Sequence, residues 1–152
     1  MSRAFVKEDD DAPEELPERL ISSAPNLVTA EGLAAIEAEI ARLERDLASA
    51  ETDDRAARAR LQHDLRYWTA RRGSAQLMPA PASNDVVRFG STVTIDRDDG
   101  RRQTFRIVGE DEADPERGTL SHVSPLAQAL LGKSEGDSVR VAGAEAEIVK
   151  IS

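Results

Sequence analysis

The chain has 152 residues, a formal net charge of −9, 3% aromatic residues and no cysteine. That length holds one or two small domains and excludes a large enzyme core, while the lack of cysteine excludes disulfide frameworks, thiol nucleophiles and thiolate zinc sites. Scarce aromatics and no Lys/Arg block disfavour base stacking and phosphate neutralisation, so the expected partner is a protein and not a specific nucleic-acid sequence.

Residues 8–19 read EDDDAPEELPER, too poor in apolar side chains to offset the entropy of ordering. Residues 1–28 are accordingly expected to form a flexible acidic tail. The first residues lack the apolar core of a signal peptide, and no run approaches the ~18 apolar residues of a membrane span. The expected location is the cytoplasm, with no membrane association.

Residues 29–78 are expected to form an antiparallel helical hairpin. Thr29 can cap the free amides of a first turn, and Glu31 suits the positive end of its dipole. Leu33, Ile36, Ile40, Leu43, Leu47 and Ala50 then alternate spacings of three and four, the narrow seam of a coiled coil. A second run carries Leu61, Leu65, Trp68 and Ala75, with the polar turn Glu51, Thr52, Asp53 and Asp54 between the two. Residues 29–54 hold eight acidic and two basic residues, whereas 55–76 hold six arginines and one acid, so facing arms attract. Trp68 at heptad spacing is read as packing between the arms.

Residues 79–86 contain the PAPASN break and are read as a linker. Beyond it, residues 91–97 and 103–108 alternate as strands around the Asp98-Asp99-Gly100 turn, and 119–123, 138–141 and 145–151 add three more candidates. Ser124 and Pro125 start a short helix that Gly132 ends. Residues 87–152 are thus expected to be a small antiparallel β domain with one short helix, making the chain α+β. His63 and His122 have no partners at ligand spacing and are read as ordinary imidazoles, not a metal site.

The segments RFGSTVTI (88–95), FRIVGEDEAD (105–114), SPLAQALLGK (124–133) and GDSVRV (136–141) resemble the C-terminal domain of the GreA/GreB transcript cleavage factors. The hairpin sequence TAEGLAAIEAEIARL resembles that family's first coiled-coil arm. The resemblance implies an FKBP-like C-terminal fold, no catalysis by the chain itself and no cofactor of its own. It implies a monomer that enters the secondary channel of RNA polymerase and grips the channel rim. The matching rim-contact residues are Ser124, Pro125, Leu126 and Ala127, with Asp111 and Glu112 of the acidic run meeting basic residues of the rim.

The family's hairpin tip carries acids, in a sequence resembling D-L-S-E-N-A-E-Y, that help hold a second magnesium ion at the polymerase active centre. Nothing here matches it. The nearest substitutes are Glu51, Asp53 and Asp54, which could offer oxygen ligands to that Mg²⁺. The first arm, 29–50, would extend ~33 Å, and each arm is two to three turns, or ~10–15 Å, shorter than the family's. Coordination needs ~2 Å, so the expected role is modulation of transcription without strong stimulation of cleavage. The alternatives are cleavage stimulation through Asp53 and Asp54, and a regulator of nucleoside diphosphate kinase, whose C-terminal domain is of the same type. Prolyl isomerase activity would need an aromatic-lined pocket, for which Phe89 and Phe105 are too few.

Overall fold

The computed structural model describes residues 16–152. Two helices of twenty residues, α1 (Ala30–Ser49) and α2 (Arg55–Ser74), form antiparallel arms ~30 Å long. Each starts on a side-chain cap. The Thr29 hydroxyl accepts the Gly32 amide at 3.0 Å, and the Asp54 carboxylate accepts the Ala57 amide at 3.1 Å. Ile36, Ile40 and Leu43 are at most 3% exposed, and Leu33, Leu65, Trp68 and Ala75 pack against the same seam. The heptad pattern therefore does what its spacing predicts: it buries one narrow stripe between the arms.

The boundary of the expected tail is corrected by the residues just before α1. β1 (Leu27–Val28) pairs in parallel with β2 (Gln76–Leu77), tying the entry of α1 to the exit of α2. Val28 and Asn26 are buried. The Asn26 amide donates to the Arg71 carbonyl at 2.8 Å, and its oxygen accepts from the Arg71 guanidinium at 2.9 Å. Low hydrophobicity suggested a tail to residue 28, but hydrogen bonding holds this stretch where hydropathy would not. Residues 1–15 of that tail lie outside the described residues.

Residues 79–86 carry no regular element. The second core is a five-stranded sheet of β3 (Thr92–Arg97), β4 (Arg102–Val108), β5 (Thr119–Ser121), β6 (Ser138–Val141) and β7 (Ala144–Ile151), in the order β5-β4-β3-β7-β6. Helix α3 (Pro125–Leu130) presses Ala127 and Leu130 into a cluster with Val93, Ile95, Ile107 and Ile148. The chain is α+β as expected, but the sheet is mixed. β5 runs parallel to β4, because residues 109–118, with a 3₁₀ turn at Pro115–Arg117, carry the chain back before it re-enters the sheet. That return segment contains the acidic run, and it is what meets the hairpin.

Candidate functional site

Three places hold the candidate residues: the hairpin tip, the seam between hairpin and sheet, and the corner at α3. At the tip, Glu51, Asp53 and Asp54 are exposed. Backbone bonds from the Asp54 amide to the Glu51 carbonyl at 3.1 Å and from the Arg55 amide to the Asp53 carbonyl at 3.0 Å make the turn tight. Asp54 is already engaged as the cap of α2, and the Arg58 guanidinium donates to the Leu47 carbonyl across the arms at 3.4 Å. Among the described residues, no three Asp, Glu or His side chains come together to hold a metal ion.

The seam explains the acidic run. Glu112 accepts from the Thr29 amide at 3.1 Å, from the Thr29 hydroxyl, and from the Gly109 amide at 3.3 Å. It fits because Gly32 has no side chain: a Cβ there would lie 2.0 Å from the Glu112 carboxylate. A Cβ at Gly109 would lie 2.4 Å from the Leu27 carbonyl. Two glycines thus allow the sheet to close on the base of the hairpin.

Beside this contact, Asp111 accepts from the Tyr67 hydroxyl and from Arg71 Nε at 2.6 Å, and Glu110 stands 3.5 Å from the same guanidinium. Arg71 is 2% exposed, a buried cation held by two carboxylates and Asn26. Burial first, and then the bond to Asp111, push the Tyr67 phenol up to about 12. Asp111 and Glu112 were expected to face the polymerase rim. Both are half-buried, and each also bonds within the molecule, satisfying amides, hydroxyls and Arg71 that would otherwise lack a partner.

At the corner, the Ser124 hydroxyl caps α3 by accepting the Ala127 amide at 3.3 Å, and Pro125 occupies the first turn. Pro125 is exposed and Leu126 half-buried, but Ala127 is fully buried, so its side chain supports the corner and cannot touch a partner. His122 lies behind this corner with its ring edge-on to Phe89 at 5.5 Å, and burial lowers its pKa against the raising influence of Glu110.

Sequence reading missed Asn26, Gly32, Tyr67, Arg71 and Gly109. Arg71 is one of six arginines between residues 55 and 76, and nothing in its neighbours marks it out. A glycine inside a helix is a recognisable signal, since it forgoes propensity unless something must approach closely.

Residues 82–152 match the C-terminal domain of the GreA/GreB transcription elongation factors. Over 149 positions the chain is 39% identical to the transcription elongation factor GreA of Hyphomonas neptunium, covering 82% of this chain and 95% of the relative. GreA of Desulfovibrio desulfuricans is 37% identical over 134 positions, covering 75% of this chain and 83% of the relative. The crystal structure of GreA factor homolog 1 (Gfh1) of Thermus thermophilus overlays with a TM-score of 0.42 at 20% identity, covering 85% of this chain and 99% of that one.

Proposed function

We propose that this chain, which belongs to the GreA/GreB family of transcription elongation factors, binds RNA polymerase at its secondary channel and modulates transcription without strongly stimulating transcript cleavage. The α3 corner grips the rim through Pro125 and Leu126, and the hairpin points inward. The chain supplies no catalysis of its own. Any cleavage chemistry belongs to the polymerase and its Mg²⁺.

The observation that carries this reading is the short hairpin. Its arms end after twenty residues each, at a turn whose acids are Glu51, Asp53 and Asp54. Asp54 is also engaged as a helix cap, which weakens the alternative in which Asp53 and Asp54 act together on the metal. No observation favours a nucleoside diphosphate kinase as partner.

The test uses backtracked elongation complexes. Purified chain should bind the polymerase, compete with a longer Gre factor and leave the rate of RNA cleavage near its intrinsic level. Strong stimulation of cleavage would overturn the short-hairpin reading, and absence of binding would overturn the channel reading.

A further inference from the structure

Where α1 faces the return segment at the base of the hairpin, a partly enclosed cavity of about 160 Å³ remains. Helix α1 lines it with Gly32, Ala35, Ile36 and Glu39, which their spacing of three and four places on one face. Gly32 and Ala35 carry no long side chain there, so the space stays open. Val28 and Trp68 add apolar wall, and Asp111 and Glu112 add carboxylates to that of Glu39. Ala35 is exposed and the three acids are half-buried, so the cavity opens to solvent.

Size and charge together select what it takes. Pockets that enclose a whole small-molecule ligand run to ~300–1,000 Å³, so this one holds a group no larger than a single side chain. Among its acids, Glu39 pairs with Arg42, and Asp111 shares Arg71 with Glu110. Glu112 bonds Thr29 and Gly109, and no cation among the described residues pairs with it. Apolar and aromatic wall beside uncompensated negative charge suits a long side chain ending in a cation, whose stem packs while its head meets carboxylate. A second copy of this chain, at a net charge of −9, is repelled from such a patch, so the occupant belongs to a basic partner.

We infer that this cavity receives the side chain of one arginine or lysine of RNA polymerase, an assignment of partner that rests on the function proposed above. Asp111 and Glu112 then meet a basic residue inside a notch shaped by Gly32 and Ala35, and not on a flat acidic surface.

Trp68 is the only tryptophan, so its emission reports on the cavity. In the full chain at constant ionic strength, n-propylguanidinium, which reproduces an arginine side chain, should change that emission saturably. Neutral n-propylurea, of the same shape, and guanidinium without the stem should each bind about tenfold more weakly. Ala35→Leu keeps high helix propensity at an exposed position and fills the notch, so it should abolish the response with the fold intact. It should also weaken polymerase binding about tenfold. Glu39→Gln, which keeps the shape and removes a charge, should weaken propylguanidinium and polymerase about threefold and leave propylurea unmoved. Equal binding of propylurea and propylguanidinium, or no saturable response, overturns the cationic site. Polymerase binding unchanged by Ala35→Leu overturns the contact and leaves the proposed function standing. Failure of the unsubstituted chain to bind polymerase overturns that function and, with it, the partner assigned here.

Discussion

The carboxylate of Glu112 accepts the backbone amide of Thr29 at 3.1 Å, so a residue of the sheet's return loop completes the N-terminal cap of the first hairpin helix. It occupies the space where Gly32 would carry a Cβ. Gly32→Ala gains about 1 kcal/mol of helix propensity. It also displaces the carboxylate and forfeits bonds that, with a charged acceptor, are worth ~1.5–3 kcal/mol each. Denaturant titration should therefore find Gly32→Ala destabilising in the native background. In a Glu112→Ala background the clash is gone, and the same change should stabilise by about 1 kcal/mol. The same sign in both backgrounds would show that the two residues do not compete for one space.

Arg71 joins both halves of the molecule through Asp111, Glu110 and Asn26 while being 2% exposed. Removing it leaves two half-buried carboxylates facing each other without their buried cation, a loss on the order of 3 kcal/mol. Arg71→Met should lower thermal stability by far more than Arg72→Met, whose side chain is exposed. Equal effects would mean that the seam contributes little.

Two groups give the molecule opposite pH limits. The phenol of Tyr67, ordinarily near 10, is pushed up to about 12 by burial and by its bond to Asp111. The folded state therefore holds this proton more tightly than the unfolded one. Its stabilisation is complete below pH 10 and is lost as the pH rises toward 12. Tyr67 is the only tyrosine, so its absorbance titration should have a midpoint well above 10, and Tyr67→Phe should remove that alkaline loss. His122 behaves conversely: burial lowers its pKa below 6.5, so stability falls as the pH drops below about 6.5, and His122→Asn should remove that step.

The parts of the fold set by local pattern were open to reading from sequence. The α1 seam repeats at Leu33, Ile36, Ile40 and Leu43, Thr29 and Ser124 are side-chain caps, and residues 138–141 form a strand at the expected positions. The parts set by meetings between distant residues were not. Glu112 reads only as a rim-facing acid until Thr29, 83 residues away in sequence, is placed against it. Asn26 looks like tail until Arg71 lies beside it, and β5 looks antiparallel until the path of residues 109–118 is known. In the candidate site, Pro125 is exposed, Leu126 is half-buried and Ala127 is buried, while Asp111 and Glu112 are half-buried and hydrogen-bonded within the molecule.

Asp54 has two conceivable uses that a pair of substitutions separates. As the cap of α2, its loss in Asp54→Ala should cost ~1 kcal/mol, whereas Asp54→Asn keeps a capping oxygen and should cost little. Neither should change transcript cleavage if the hairpin stops short of the metal. A loss of stimulated cleavage in Asp54→Asn, with stability intact, would instead assign the carboxylate to metal chemistry.

The α3 corner allows gripping to be separated from folding. Ala127 is fully buried against the sheet core, so Ala127→Leu should overpack it and cost ~1–3 kcal/mol whether or not a partner is present. Pro125 is exposed in the first turn of α3, where an acidic residue suits the helix dipole, so Pro125→Glu should leave stability within ~0.5 kcal/mol. If the corner seats on the polymerase, Pro125→Glu places a charge in that contact and should weaken binding about tenfold, equivalent to ~1.4 kcal/mol. Asp53→Ala at the tip should leave affinity unchanged, because a hairpin that enters without reaching a ligand contributes little there. The reverse pattern, with affinity sensitive to Asp53 and indifferent to Pro125, would move the grip from the corner to the hairpin.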